Sequence, residues 1–535
     1  MRIRGVHVVL WTSLFTGVSH AAEPLSARVD AITRSEGYHV GHWGILVVDA
    51  KTGKTVYERN PDQMFCPASV TKLFSTASAL AELGGDYRFH TPVVRRGKLE
   101  EGTLHGDLIL VAQGDLSLGG RTGSDGTLLY VDDDHTYSGG NLRGGVVRAD
   151  PLAGLDHLAR EVAAAGVNRV SGDVIVDDRF FDHATSTGSG PRRVTPILIN
   201  DNLIDVVATP AEVVGEPASV RLIPPSAYAS AEIQVETVGA GETPSLKVQD
   251  VGPRRFQVRG KIPLGHAPIA KIYEVDDPAS FARTLFIEVL RKRGVQVDAS
   301  SIADNPGASL PPSKEVSELP KVAEYASPPL MEYLKVILKV SHNLHASTLP
   351  LLIATHRGER TLEQGLRAEG MLLKGLGVDL SAVSFGGGAG GSRSDLVSPR
   401  ATVTLLRALA KRPDFPAYEA ALPVLGRDGT LARAVGKDSP ARGHVRAKTG
   451  TYWVDNGLND KAILTSKALA GYLETSTGRP LVLAFFVNEV PLDASGSNVS
   501  AATLRAGQLL GRLCEVFYEM DASEDGKSKP DATGR

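Results

Sequence analysis

The feature of this sequence that most constrains its fold is a change of pattern part-way along the chain. Pro67 opens a helical pattern in which apolar residues recur at spacings of three and four, and Gly84-Gly85 ends it. From about residue 89 to residue 320, short Val, Leu and Ile runs are separated by Gly, Pro and Asp, which predicts mainly β structure. A helical pattern returns at Pro328 to Val340. We therefore expect a scaffold at the two ends of the chain and an insert between them.

Length and composition exclude several classes of protein. A chain of 535 residues, 42% hydrophobic and 22% charged, is typical of a soluble protein of about three or four domains. It is unlike a disordered chain, a collagen or a multi-span membrane protein. The net charge of −3 gives no basic surface for nucleic acid. Two cysteines exclude a disulfide-rich scaffold; Cys66 and Cys514 are expected to be buried free thiols, with a disulfide as the alternative.

The N-terminus has the pattern of a secretory signal peptide at residues 1–21. Arg2 and Arg4 precede an apolar run from Val6 to Val18, and Ser19-His20-Ala21-Ala22 supplies small residues for cleavage. The run is short for a bilayer span, so a retained membrane anchor is the less favoured alternative. We expect an exported protein with no membrane span after cleavage. At the other end, residues 521–535 are polar and predict a disordered tail.

Local patterns predict several further elements. The β-type runs Gly44 to Asp49 and Thr55 to Glu58 flank a polar turn and predict a hairpin. The stretch Val445 to Thr451 alternates like a strand, and Lys467 to Leu473 is expected to pair with Leu481 to Val487. Additional helices are predicted at Leu155 to Ala165, Ala279 to Arg293 and Ser500 to Met520.

The first candidate site is Ser69-Val70-Thr71-Lys72, at the start of the first helical pattern. The spacing of three places the hydroxyl and the amine on one helix face. A serine hydroxyl is a weak nucleophile that needs an adjacent base, and a neutral lysine can serve. The motif is short enough to occur by chance as an ordinary helix start with a solvated lysine.

Two further motifs follow much later in the chain. Ser341-His342-Asn343 lies where a helical pattern breaks; its hydroxyl could relay a proton and its amide could hold a carbonyl or a lysine, or the pair could simply cap a helix. Lys448-Thr449-Gly450-Thr451 lies on a predicted strand that could bind an extended peptide, with a lysine for a carboxylate. Lys51-Thr52-Gly53 repeats the triplet in a polar turn, so only strand context and chain order distinguish the two.

The three motifs, in this order and on helix, helix break and strand, are the signature of penicillin-binding proteins and serine β-lactamases. The residues around them, Pro67 to Leu73, Gly426 to Leu431 and Arg446 to Thr451, resemble the D-alanyl-D-alanine carboxypeptidase/endopeptidase family of class C, type 4 penicillin-binding proteins (peptidase family S13). The long stretch between Lys72 and Ser341 also favours that family, which carries two extra β domains there, over a compact β-lactamase.

The resemblance implies an α/β (α+β) fold, in which an antiparallel sheet flanked by helices forms a transpeptidase/β-lactamase-like catalytic domain with two inserted, mainly β domains. The implied catalytic domain is split between residues 22–90 and 321–520. One inserted domain would comprise residues 91–182 and 268–320, and the other residues 183–267. The family implies a periplasmic enzyme that acts on peptidoglycan stem peptides, is inhibited covalently by β-lactams and needs no cofactor or metal.

The resemblance also implies the catalytic roles. Ser69 would attack the D-Ala–D-Ala carbonyl to form an acyl-enzyme, with Lys72 as its base. An unperturbed lysine has a pKa of about 10.4, so burial and the like charge of Lys448 would have to lower the pKa of Lys72. Ser341 would pass the proton to the leaving amine, and Asn343 would orient Lys72 and the substrate amide.

The third motif would bind substrate. Lys448 and Thr449 would hold the terminal carboxylate, and Gly450 would permit close approach on the strand. The backbone N–H groups of Ser69 and Thr451 would form the oxyanion hole, and Thr451 would also line the substrate site.

Three departures from the family pattern stand out. The usual Asp-Gly-Ser-Gly-Leu-Ser stretch falls at Gly387 to Ser392 without its aspartate. His345-Ala346-Ser347 replaces a Tyr-Ala-Glu, and Tyr452 to Ser466 predicts a longer connection after the third motif. A related β-lactamase or esterase, and a catalytically weakened wall-binding protein, therefore remain as alternative functions.

Other conspicuous residues are given ordinary interpretations. The pairs His39/His42 and His342/His345 lack an obvious carboxylate or cysteine ligand at metal spacing, so no metal site is predicted. His342 could contact substrate or be an exposed bystander. Asp132-Asp133-Asp134 predicts a solvated loop, with calcium binding as the alternative. The glycine run at 386–391 predicts a flexible turn.

Overall fold

The computed structural model describes residues 23–132, 134–135, 141–142, 145–186 and 190–521. The predicted signal peptide lies outside the described residues, and so does the predicted tail except for Asp521. Within the described part of the chain, no helix is both long enough and apolar enough to span a bilayer.

Helices and strands alternate along most of the described chain. The helices are α1 (Leu25–Thr33), α2 (Thr71–Leu83), α3 (Ala153–Ala164), α4 (Pro278–Lys292), α5 (Ser313–Glu318), α6 (Leu330–Val340), α7 (Asn343–His356), α8 (Leu362–Gly375), α9 (Pro399–Leu409), α10 (Phe415–Ala421) and α11 (Val499–Glu519). The strands are β1 (His42–Asp49), β2 (Thr55–Arg59), β3 (His90–Glu100), β4 (Thr103–Val111), β5 (Asn141–Leu142), β6 (Arg169–Val170), β7 (Val174–Asp177), β8 (Leu203–Thr209), β9 (Ser219–Ile223), β10 (Ser230–Val238), β11 (Ser245–Gly252), β12 (Arg255–Pro263), β13 (Ile269–Glu274), β14 (Gln296–Val297), β15 (Lys321–Ala326), β16 (Val383–Ser384), β17 (Leu396–Val397), β18 (Val445–Asn456), β19 (Lys461–Glu474) and β20 (Pro480–Pro491).

A five-stranded antiparallel sheet unites the two ends of the chain, in the order β18-β19-β20-β1-β2. The predicted hairpin of β1 and β2 is confirmed, and so is the pairing of Lys467 to Leu473 with Leu481 to Val487. One face of the sheet packs in an apolar core with α2, α6 and α7, and the other packs against α1 and α11. Strand β18, which carries the third motif, is the first in this order and is therefore an edge strand.

The residues from Tyr452 to Ser466 are not a loose connection. They continue β18 and β19 beyond the third motif as a paired hairpin, from Tyr452↔Ser466 to Asn456↔Lys461, with one irregularity after Tyr452. The prediction of a longer connection is therefore corrected to two longer strands. At the turn, Leu458 is 96% exposed.

The middle of the chain is mainly β, as predicted. Strands β14, β6, β4, β3 and β15 form one sheet with β7 beside β4, while β5-β13-β8-β9 and β10-β12-β11 form two smaller sheets. Helices α3 and α4 pack with these strands around a common apolar core. Strand β15 pairs with β3 at the edge of the largest of the three sheets. The domain boundaries implied by the resemblance stay a prediction.

Helix α7 begins at Asn343 and was not predicted from the sequence. Its residues from Asn343 to Ala354 are all buried, so this stretch has no exposed polar face and no one-sided apolar periodicity marks it. The helix packs against α2 and α8. The packing of α7 against α2 brings Asn343 of the second motif next to the helix that follows the first motif.

Candidate active site

Ser69 and Lys72 meet at the beginning of α2. Ser69 lies in a short 3-10 turn, Ala68–Val70, that leads directly into the helix. Lys72 is fully buried, and its Nζ lies 2.9 Å from Ser69 Oγ, 2.7 Å from Asn343 Oδ1 and 2.7 Å from the Ala389 carbonyl oxygen. Lys72 of the first motif thus contacts both Ser69 of its own motif and Asn343 of the second motif.

These three contacts fix which way a neutral Lys72 would face. A neutral amine has two N–H donors and one lone pair, and the oxygens of Asn343 and Ala389 can only accept. Those two oxygens therefore use both hydrogens, and the lone pair is left facing the Ser69 hydroxyl. Burial, and then the like charge of Lys448, hold the pKa of Lys72 well below its usual range, while Asp395 opposes them.

The second pair is formed by Ser341 and Lys448. Ser341 ends α6 in the left-handed conformation, with φ 64°, which turns the chain between α6 and α7. Lys448 Nζ donates to Ser341 Oγ at 2.9 Å and to the Thr449 carbonyl oxygen at 2.9 Å. Burial, and then the charge of Lys467, lower the pKa of Lys448 to about 7. Its ammonium is therefore ready to lose a proton near neutral pH.

Glycine lets β18 approach the turn that carries Ser69. A Cβ at Gly450 would lie 2.3 Å from the Pro67 carbonyl oxygen, closer than any side chain allows. Beside it, Thr449 Oγ1 donates to Thr430 Oγ1 at 2.8 Å, and Lys467 Nζ donates to Thr451 Oγ1 at 2.8 Å. Thr430 and Lys467 were not singled out from the sequence, since neither belongs to a motif triplet.

The other Lys-Thr-Gly triplet has no such surroundings. Lys51, Thr52 and Gly53 form the turn between β1 and β2. Asp49 Oδ1 accepts from the backbone N–H groups of Lys51 and Thr52 and from the Thr52 hydroxyl. The triplet therefore serves as a capped turn, in agreement with the interpretation from strand context.

The glycine run at 386–391 is closely packed, so the prediction of a flexible turn is wrong. The Gly388 carbonyl accepts from Ser75 Oγ at 2.9 Å, next to the Ala389 carbonyl that binds Lys72. Gly390 has φ 85°, and a Cβ there would lie 1.9 Å from the Ala68 carbonyl oxygen. Only glycine brings this backbone against the beginning of α2.

An aspartate outside the glycine run completes this loop. Asp395 accepts from the Gly386 N–H at 2.7 Å and from the Ser392 N–H at 2.9 Å. Burial raises its pKa to about 6, and it acts electrostatically on Lys72. The sequence comparison found the usual aspartate missing but did not single out Asp395, which follows the aligned stretch.

A buried charged group, which we call the Asp201 cluster, lies beside the second motif. His345 Nε2 lies 2.7 Å from Asp201 Oδ1, and His135 Nδ1 lies 2.7 Å from Asp201 Oδ2. Arg121 pairs with both Asp201 and Asp134. The members of the cluster are Arg121, Asp134, His135, Asp201, Asp205, His342 and His345.

The Asp201 cluster corrects three interpretations made from sequence. His342 is fully buried, not an exposed bystander, and burial lowers its pKa to about 3. The pair His342/His345 does have a carboxylate, that of Asp201, supplied by a distant segment. Asp134 is buried and paired with Arg121, not solvated; Asp132 is exposed, and Asp133 lies outside the described residues.

The geometry of a metal site is present in this cluster, but cationic side chains already occupy positions beside its carboxylates. Ligand atoms of Asp201, His342 and His345 lie within 4.8 Å of one another, as do those of Asp134, His135 and Asp201. The Arg121 guanidinium donates to Asp201. Burial opposes the charged form of His135, but the carboxylates of Asp205 and Asp201 outweigh it and raise the pKa of His135 to about 10. Two cations thus already face the carboxylates that a metal ion would need.

The profile of the D-Ala-D-Ala carboxypeptidase 3 (S13) family matches residues 25–506. The chain belongs to the S13 family. It is 31% identical over 461 residues to the D-alanyl-D-alanine carboxypeptidase of Actinomadura sp. (strain R39), covering 80% of this chain and 76% of that protein. The expected family is therefore confirmed, and this S13 protein is a hydrolase of the D-alanyl-D-alanine carboxypeptidase type.

Other relatives agree in sequence and in fold. The S13 chain is 24% identical over 475 residues to the D-alanyl-D-alanine carboxypeptidase DacB of Haemophilus influenzae, covering 85% of this chain and 86% of the relative. The crystal structure of penicillin-binding protein 4 from H. influenzae matches with a TM-score of 0.65 at 20% identity, covering 92% of this chain and 99% of that chain. The expected α/β penicillin-binding fold is confirmed.

Both cysteines are free thiols. Cys514 is buried in α11, and Cys66 is partly buried just before the turn that carries Ser69. The disulfide alternative is therefore not found. The Cys66 backbone is bonded instead, its N–H donating to Asn488 Oδ1 at 2.7 Å and its carbonyl accepting from Ser466 Oγ at 2.7 Å.

Proposed function

We propose that this protein is an exported serine peptidase that removes the terminal D-alanine from peptidoglycan stem peptides through an acyl-enzyme on Ser69. The observation that carries the proposal is the set of contacts around Lys72 Nζ, which leaves the lone pair of a neutral amine facing Ser69 Oγ. A base held in this way can take the proton as the nucleophile attacks.

Acylation uses the first two motifs. Ser69 Oγ attacks the carbonyl carbon of the penultimate D-alanine while its proton passes to Lys72 Nζ. The oxygen of the tetrahedral intermediate accepts from the backbone N–H groups of Ser69 and Thr451; losing one such donor typically costs about 3 kcal/mol. As the C–N bond breaks, Ser341 passes a proton to the leaving amine, and Lys448 can replace it because the two are hydrogen-bonded.

Hydrolysis completes the cycle. Water attacks the ester carbonyl of the acyl-enzyme and gives up a proton, through Ser341, to Lys448, which acylation left neutral. As the bond between Ser69 Oγ and the carbonyl carbon breaks, Lys72 returns its proton to Ser69 and the shortened peptide leaves. Lys448 and Thr449 hold the terminal carboxylate of the substrate during acylation. The carboxylate of a penicillin would take the same place, which makes β-lactams acylating inhibitors of the same serine.

The signal peptide predicted at residues 1–21 supports export through the Sec pathway, and the enzyme would encounter stem peptides in the periplasm.

The glycine run, which differs from the usual family sequence, still supplies the Ala389 carbonyl to Lys72. That contact favours an active enzyme over a weakened wall-binding protein. An additional endopeptidase activity on cross-linked peptides would use the same bond type and the same residues.

The test is labelling with fluorescent penicillin beside release of D-alanine from a pentapeptide. We expect wild-type protein to be labelled and to release D-alanine, and Ser69→Ala to lose the label and at least about 10³-fold of the turnover, because the nucleophile is gone. Ser317→Ala removes an exposed hydroxyl in α5 and should change neither.

Each other outcome has a defined meaning. A label that persists in Ser69→Ala contradicts the site assignment. Rapid turnover of penicillin would indicate a β-lactamase, whereas stable labelling without release of D-alanine would indicate a weakened wall-binding protein. Cleavage of cross-linked muropeptides would add the endopeptidase activity.

A further inference from the structure

Lys467 is a buried ammonium at the substrate end of the site. It lies on β19 directly opposite Thr451 of β18 and is only 9% exposed. Its Nζ donates to Thr451 Oγ1 at 2.8 Å, and among the described residues no carboxylate lies within ion-pair distance of it. Burial lowers its pKa to about 8. A buried cation without a counter-ion is costly in free energy, and an anionic ligand bound nearby would lower that cost.

A glycine on α11 leaves space for the end of the Lys467 side chain. On α11, Gly507 faces the end of its side chain, and a Cβ at that position would lie 3.2 Å from Lys467 Cε and 3.4 Å from Nζ. A side chain at position 507 would therefore contact the end of Lys467 and shift it by a few tenths of an ångström. The lysine is thus held between a helix and the edge strand of the sheet.

The bond to Lys467 decides how Thr451 can act. A protonated lysine has three donors and no acceptor, so Thr451 Oγ1 must accept from it. The hydroxyl hydrogen of Thr451 is then free to point elsewhere as a donor. Because Thr451 is exposed while Lys467 is buried, that donor is available to a ligand at the edge of β18, beside the hydroxyls of Thr449 and Thr430.

We propose that Lys467 is a positioning and specificity-determining residue that selects acyl donors ending in a free carboxylate. Its ammonium fixes the Thr451 hydroxyl as a donor to that carboxylate and adds a positive charge behind it, beyond the charge of Lys448. This inference rests on the proposed function, and it explains why a buried cation lies where no catalytic step needs one.

The test compares two substrates that differ only at the carboxylate. An acylated tripeptide ending in D-Ala-D-Ala and its C-terminal carboxamide are assayed for D-alanine or D-alaninamide release by wild type and Lys467→Met. We expect the ratio of kcat/KM for acid over amide to fall about 10- to 100-fold in the variant, the usual worth of a charge-assisted hydrogen bond. Effects on folding alter both substrates alike and cancel in this ratio. Loss of the Lys467 charge raises the pKa of Lys448, which would strengthen the binding of a carboxylate by Lys448 and therefore does not account for a fall in the ratio.

A matched control lies on the same strand. Lys461 is exposed and pairs with Asp493 at the far end of β19, so Lys461→Met should leave the ratio within about twofold. Thr451→Val removes the hydroxyl but keeps the backbone N–H, and should lower the ratio like Lys467→Met. The double variant should lose little more than either single variant, because both act through one contact.

The inference and the proposed function fail in different ways. If wild-type protein is not acylated at Ser69, the proposed function is wrong; binding of the acid and amide peptides to Ser69→Ala, with and without Lys467→Met, then still measures carboxylate selection. An unchanged ratio in Lys467→Met, or additive losses in the double variant, would overturn the role of Lys467. A wild-type protein that prefers neither peptide would overturn it as well.

Discussion

The three buried lysines of the site differ in what surrounds them. Lys72 has two carbonyl-type acceptors and one hydroxyl, Lys448 has the Ser341 hydroxyl and the Thr449 carbonyl, and Lys467 has the Thr451 hydroxyl. Burial lowers the pKa of each; the charge of Lys448 further lowers the pKa of Lys72, and the charge of Lys467 further lowers the pKa of Lys448. Each of the three ammonium groups therefore gives up its proton more readily than an exposed lysine does.

Among the residues that the structure describes, Asp395 is the carboxylate that opposes this effect at Lys72. Its negative charge favours the ammonium form and raises the pKa of Lys72. Removing that charge by Asp395→Asn should lower the pKa of Lys72, so that the free base exists at lower pH. We expect the acid limb of the kcat/KM profile for penicillin acylation to move to lower pH by about half a unit to one unit.

The control for this prediction is Asp379→Asn. Asp379 likewise accepts from a backbone N–H, that of Ser381, but it is exposed at the surface, so its removal should leave the limb in place. If the acid limb of the kcat/KM profile is unchanged in Asp395→Asn, or moves to higher pH, Asp395 does not act on Lys72 as predicted. Loss of the Ser392 N–H bond would lower the rate at all pH values without moving the limb.

At the scale of elements, the site depends on how closely β18 approaches the turn before α2. Gly450 is where the strand touches that turn, at the Pro67 carbonyl. A methyl group there would push the strand back by about 1 Å, and displacements of that size can cost about 10²-fold in rate. Gly450→Ala should therefore lower penicillin acylation about 100-fold or more, measured by the rate of labelling.

The same substitution at the tip of the hairpin is a matched control. Gly457 lies between β18 and β19, and nothing stands within 4 Å of the position of a Cβ there. Gly457→Ala should leave the rate of labelling within about twofold. Equal rates for the two alanine variants would mean that the strand can shift without disturbing Lys448 and Thr451.

At the scale of the whole molecule, the Asp201 cluster joins the mainly β middle of the chain to the catalytic scaffold. Asp201 stands between β7 and β8, whereas His342 and His345 stand at the beginning of α7, next to Asn343. The second motif is thus held by a charged group that comes from the inserted part of the chain. We infer that the insert stabilises the region that positions Asn343.

Arg121→Met should destabilise the protein as a whole. It leaves Asp134 and Asp201 buried without their arginine, and breaking a buried ion pair in this way typically costs about 3–5 kcal/mol. The midpoint of thermal unfolding should fall accordingly. Arg192→Met removes a pair with Glu274 at a site where the arginine is 61% exposed, and should cost less than about 1 kcal/mol. Equal effects of the two variants would contradict a tightly paired cluster.

Sequence alone determined the parts of this protein that depend on neighbours in the chain. The hairpin of β1 and β2, the beginning of α2 and the pairing of β19 with β20 follow from periodicity and turn residues, which act within one element or between adjacent ones. The three motifs, in their order, indicated a penicillin-binding protein or a serine β-lactamase. The residues around them and the long stretch between Lys72 and Ser341 narrowed the resemblance to the S13 family.

Only the tertiary structure decided the contacts between distant segments. Nothing in the local pattern joins Lys72 to the Ala389 carbonyl, Lys467 to Thr451, or Asp201 to His345, since periodicity reports which face of an element is buried but not what it meets there. The glycine run was misjudged for the same reason: its composition suggests freedom, whereas packing against α2 removes it. Residues far apart in sequence become partners only when burial in a shared core excludes water from between them.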